Sequence, residues 1–153
     1  MSVGATVSGL ADIAWQGVRL GLQFNPVFAV IGAAIAAALL GYKRASRERR
    51  FPAVAALVVT WLAGDGLRVL ARGRDSFDGI GAFAHLQPAW GTLLLLALWA
   101  VVGFAVGYVV PAWAGITVGR RVTHGTGWLA AIAIAVGVSL GVSSLIASAG
   151  ALG

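Results

Sequence analysis

One carboxylate, Asp65, lies inside an otherwise apolar run, between Gly64 and Gly66 and three residues before Arg68. A charge in such a run is expensive in a membrane and is a functional candidate by default, as an ion or proton site. Its neighbours offer a plainer chemistry. Arg68, Arg72 and Asp75 follow at spacings of three, four and three, so all four share one helical face and can neutralise one another. On that reading Asp65 belongs to a charged outer turn through which a helix leaves the membrane. At 1.5 Å per residue it stands ~21 Å beyond Phe51, closer to the outer headgroups than to the midplane.

A second set of polar residues lies near the start of the chain. Ser8, Asp12, Gln16, Arg19 and Gln23 recur every three or four residues and form one stripe on a helix. Asp12 and Arg19 are two turns apart on it and are expected toward the same side as Asp65, with Asp12 a candidate partner for Arg68.

Other chemistry is poorly provided for. The chain has no cysteine, which excludes disulfides, thiolate metal sites and cysteine nucleophiles. His85 and His124 fall in expected loops, so no haem is expected inside a bundle. Asp75 and Asp78 are too few for a calcium site, and there is no phosphate-cradling loop or zinc motif. Ser139, Ser143, Ser144 and Ser148 mark the last apolar stretch, but a nucleophile needs a base nearby. Ser148 would stand ~36 Å from His124 along a helix. These serines are read as backbone-bonded or helix-contact residues. No catalytic constellation, metal or cofactor is expected.

The elements that carry these residues follow from composition. Of 153 residues 59% are hydrophobic and only 10% charged, too few to build a water-facing surface. Four apolar stretches, 26–42, 51–70, 90–118 and 127–149, approach or exceed the ~20 residues a helix needs to cross ~30 Å of hydrocarbon. The fold class is therefore all-α, a polytopic membrane bundle of four spans over residues 26–153.

Residues 1–25 read as a retained amphipathic helix, with no signal-peptide pattern. Asn25-Pro26 follows at once, a good N-cap and a residue suited to the first helical turn. The first helix is thus expected to lie in the interface and turn a corner into the first span. A fifth span whose polar stripe faces protein is the rival. Small residues Gly32, Ala33, Ala36 and Ala37 mark the first span for close helix contact.

The third span carries Gly103, Gly107, Pro111, Gly115 and Gly119, one every four residues. Such a row lets backbones approach, and Pro111 should bend the helix. Ala133, Gly137 and Gly141 offer a matching row on the fourth span. The groove either packs spans three and four together or docks another subunit.

Net charge is +6. It is concentrated beside the spans, in Lys43, Arg44, Arg47, Arg49, Arg50, Arg120 and Arg121, which argues for anionic headgroups rather than nucleic acid. By the positive-inside rule loops 43–50 and 119–126 are cytoplasmic and both termini outside, as in a bacterial cytoplasmic membrane. The function expected from these features is a non-catalytic accessory or scaffold subunit of a larger membrane complex. It would act through other subunits and phospholipids, with the third span as its main surface. The alternative is a small oligomeric transporter or channel built on Asp65, Arg68 and the N-terminal stripe.

Overall fold

A computed structural model describes residues 3–42, 46–68, 89–122 and 125–151. They form five helices. The first, α1 (Val3–Gly21), is followed after a short break by α2 (Pro26–Leu40). A 3-10 turn, Arg47–Arg49, leads into α3 (Arg50–Trp61), which widens into a π-helical turn at Leu62–Gly66. The long helix α4 joins Ala89–Phe104 to Val110–Arg121 through a second π-helical turn, Ala105–Val109. The last, α5, covers Gly127–Ala151.

Leu93–Arg121 and Gly127–Gly150 are each long and apolar enough to cross a membrane. The pair Val7–Gly21 and Pro26–Leu40 passes that test jointly, bent by 73° at the break. Up to three candidate spans point to a multi-pass membrane protein. The expected span 51–70 runs past the described residues; its described part packs antiparallel on α2, with Thr60 against Gly32 and Gly64 against Phe28. The corner expected at Asn25-Pro26 is present.

The packing is inverted relative to a water-soluble protein. The buried positions include Ala29, Ala33, Ala36, Ala37, Ala53, Ala112, Ala131 and Ala135, whereas Phe51, Trp113 and Leu145 are 82%, 66% and 70% exposed. Where the surrounding solvent is apolar, large side chains gain nothing by turning inward. Close backbone contact through small residues then holds the helices together.

The α4 row shows this position by position. Gly103 lies against the Gly21 carbonyl of α1, and Gly107 against the Phe24 ring. Pro111 is buried, and Gly115 packs on Ala131 and Ala135 of α5. At Gly119 three backbones meet: a Cβ there would stand 2.6 Å from Ala131 Cβ, 2.7 Å from the Gly127 carbonyl and 2.8 Å from the Gly41 carbonyl. The row is filled within the chain, so it is not an open groove.

Its partner face differs from the expected one. Gly137 and Gly141 are exposed, with nothing within 4 Å of a Cβ placed on either, and Ala133 is exposed as well. The buried face of α5 is Gly127, Ala131, Ala135 and Ser139. Two positions along a helix turn the face by ~200°, so Ala133 and Ala135 point to opposite sides.

A π-helical turn directly precedes Pro111, where a bend is expected. Proline removes the amide that would bond the Gly107 carbonyl one turn back. The backbone widens here: the Val110 amide bonds the Ala105 carbonyl, five residues back. The strain becomes a π-helical turn inside one continuous run, Leu93–Arg121.

A leucine at Gly119 should therefore cost about 1–3 kcal/mol by overpacking. The same change at Gly137 should shift monomer stability by less than about 0.5 kcal/mol, as at an open surface position. Thermal unfolding of the two variants in detergent distinguishes these outcomes.

Candidate functional site at the helix break

The site is built around backbone groups that a broken helix leaves unpaired. Between α1 and α2 the chain leaves helical geometry for four residues, and the backbone groups released there need partners. The Gln23 amide bonds the Leu20 carbonyl at 3.1 Å. Pro26 has no amide to satisfy. Asn25 caps α2: its side-chain oxygen accepts from the amides of Val27 at 3.1 Å and Phe28 at 3.5 Å, and its carbonyl accepts from Ala29 at 3.0 Å.

Two further groups of the break are met from one turn of the helix opposite. Asp65 Oδ1 accepts the Asn25 amide at 2.8 Å, and Arg68 Nη1 donates to the Gln23 carbonyl. Asp65 is only 1% exposed. Its second oxygen, Oδ2, accepts a longer hydrogen bond, 3.4 Å, from the Tyr108 hydroxyl. Tyr108 is itself fully buried and belongs to the π-helical turn of α4, while Asp65 lies in that of α3.

The glycines around the carboxylate make room for this contact. A Cβ on Gly64 would come within 2.7 Å of Phe28 Cβ and 3.1 Å of the Tyr108 hydroxyl. One on Gly107 would meet the Phe24 ring at 2.7 Å. Both π-helical turns thus bring a glycine and a polar side chain to the same level, where bulkier residues would hold the helices apart. Phe104 stacks on Tyr108 at 6.2 Å and Phe24 meets it edge-on at 6.4 Å, fixing the ring.

A cleft of about 230 Å³ opens beside the break. Leu22, Phe24, Pro26, Ile146 and Ala147 form its apolar wall, and Gln23, Arg68 and Ser143 its polar side. Asp65 does not line the cleft; it lies one turn along the helix from Arg68. α2 is 15 residues long, so the break stands about 22 Å from the far end of the helix.

These positions revise the expected ladder. Asp65 is enclosed by protein and is not part of an exposed outer turn. It and Arg68 both reach across to the α1–α2 break. The physical reason is that an unpaired amide and carbonyl in an apolar setting bind a charged partner more strongly than a charge on their own helix can.

The N-terminal stripe is placed on the outside. Ser8, Asp12, Arg19 and Gln23 are exposed and Gln16 half-buried, while Ile13, Gly17 and Gly21 face α4. Of the five, only Gln23 lines the cleft. The expected Asp12 to Arg68 pairing is not formed either, because Arg68 is turned to the Gln23 carbonyl, about three turns of chain away.

At the opposite end, the first and third connections come together as expected. Arg120 Nε donates to the Leu40 carbonyl at 3.0 Å, and Arg49 lies over the Tyr42 ring at 5.2 Å. Arg47, Arg50 and Arg121 are exposed beside them. Lys43, Arg44, Arg72, Arg74, Asp75, Asp78, His85 and His124 lie outside the described residues. Ser143 and Ser148 bond back to the carbonyls of Ser139 and Leu145, both at 2.8 Å, in keeping with a backbone role.

Tyr108 is the residue that sequence reasoning missed. Its signal was present, a phenol in the middle of an apolar helix, where a hydroxyl requires a partner.

Replacing Asp65 by alanine strands the Asn25 amide and should destabilise the fold by about 1–3 kcal/mol. D65N retains an acceptor oxygen and should cost less, and Y108F, losing only the longer bond, about 0.5–1.5 kcal/mol. Unfolding of the three variants in one detergent gives the order; Y108F more damaging than D65A would contradict this geometry. No protein-family model matches the chain, and neither a curated protein nor a solved structure matches it.

Proposed function

We propose that this chain is a small membrane transporter or channel in which Asp65 is the exchangeable proton or cation site. The observation that carries the reading is a fully buried carboxylate bound to the non-helical backbone between two half-helices. Helices broken inside the membrane supply the backbone groups on which ion and substrate sites of many secondary transporters are built.

Several features support this choice. The π-helical turns of α3 and α4 meet at the acid, and such turns concentrate at functional sites. The cleft reaches Arg68 and the break together. The basic end carrying Arg47, Arg49, Arg50, Arg120 and Arg121 faces the cytoplasm in this proposal, by the positive-inside rule, so the acid lies toward the outer side. The accessory-subunit reading drew on the α4 row as a docking surface, and that row is filled by α1, α2 and α5.

The open side of α5 suits self-association. Gly137 and Gly141 form a small-xxx-small pair with empty space before them, the arrangement on which a second copy packs closely. Leucines at both positions should dissociate the oligomer without unfolding the chain. Light scattering of the detergent complex measures this, and an unchanged mass would remove α5 as the contact.

The central test is proton flux in liposomes carrying the purified protein and a pH-sensitive dye. Imposed sodium, potassium and proton gradients should each be tried. The wild type should dissipate at least one of them faster than empty vesicles, and folded D65N should fall to that background. Flux through D65N equal to wild type would sink the proposal.

A further inference from the structure

We propose that the cleft beside the helix break holds the headgroup end of an anionic phospholipid, with its phosphate on Arg68. This goes beyond the transport reading and does not depend on Asp65 exchanging an ion.

Arg68 supplies the charge. A guanidinium has five N–H donors and does not deprotonate in proteins. Here one nitrogen, Nη1, is used on the Gln23 carbonyl. Among the described residues no other hydrogen bond engages the group, so its remaining donors are available at the polar side of the cleft. Ser143 lines the same side. Its hydroxyl donates to the Ser139 carbonyl, and its oxygen still has lone pairs to accept a headgroup hydroxyl.

Size and setting select a lipid over a free anion. About 230 Å³ is below the ~300–1,000 Å³ of pockets that enclose a whole small molecule, so the cleft fits one end of a larger one. Leu22 and Ile146 give it walls suited to glycerol carbons and the start of an acyl chain. The height also fits: the break is about 22 Å from the basic end, so an arginine reaching outward from there attains the far headgroup layer. This position is distinct from the arginines at the basic end, which meet the opposite leaflet.

The chain has no cysteine, so a single S143C reports on the cleft without interference. Its rate of reaction with a small methanethiosulfonate is measured in nanodiscs of phosphatidylcholine alone and with phosphatidylglycerol added. A second cysteine variant, V101C, on the exposed side of α4, controls for bulk lipid effects. Phosphatidylglycerol should slow labelling of S143C several-fold and leave V101C unchanged. Adding R68Q to S143C should abolish the protection, whereas R68K, which keeps the charge, should retain part of it.

Equal rates for S143C in the two lipids would overturn the proposal, as would protection that survives R68Q. Inorganic phosphate or glycerol phosphate protecting as well as the lipid would identify a free-anion site and overturn it too. If R68Q fails to fold, A147W fills the cleft while leaving Arg68 in place. Protection surviving A147W would have the same negative meaning.

Discussion

The structure depends on how a helix can stop and restart inside an apolar bundle. Such a break releases amides and carbonyls that are costly if buried without a partner. Here the residues from Leu22 to Asn25 are made tolerable from both directions. Asn25 and Pro26 treat the start of α2 locally, and one turn of α3 meets two further groups, Asp65 on the amide of Asn25 and Arg68 on the carbonyl of Gln23. Opposite charges on one turn match the opposite polarity of the groups they meet. The two charges and the break therefore depend on one another.

That arrangement determines the packing around it. For α3 to present Asp65 to the break, it must lie close to α2, and Gly32 and Gly64 remove the side chains that would prevent this. For Tyr108 to reach the carboxylate, α4 must approach the same level, where Gly107 yields to Phe24. The contacts at Gly41, Gly119 and Gly127 then close the other end of the bundle. Interior volume is spent on backbone proximity, and the bulky residues are left to face lipid. A soluble core would gain stability from the reverse distribution through the hydrophobic effect, a gain that is absent between lipid and protein.

Some of this was legible in the sequence and some was not, for physical reasons. The corner at Asn25-Pro26 was, because capping is a local property of adjacent residues. So was the packing character of Gly32, Ala33, Ala36 and Ala37, all of which are buried. The partner of Asp65 was hidden, because Asn25 is 40 residues away and a backbone amide leaves no mark in a residue pattern. The nearest visible partner was Arg68, and proximity in sequence made an internal ladder look sufficient. On α5 the choice of face failed for a different reason. Small residues occur all round that helix, so spacing alone could not separate Ala133, Gly137 and Gly141 from Ala131, Ala135 and Ser139.

The two-point clamp also bears on how transport would work. Asp65 and Arg68 are one turn apart on a single helix, so a displacement of that turn tends to loosen both of their contacts at once. A charge-assisted bond to an amide is about twice as strong as a neutral one. Placing a proton or cation on Asp65 would weaken its hold on Asn25 and shift the balance toward release, with Arg68 following on the same turn. The glycine-flanked π-helical turn at 62–66 is a suitable place for that displacement, since its backbone already departs from α-helical pairing. Occupancy of one carboxylate would in this way be coupled to the angle between α1 and α2, now 73°. A coupling of that kind requires the acid to be buried against the break, and an acid on an exposed outer turn could not provide it.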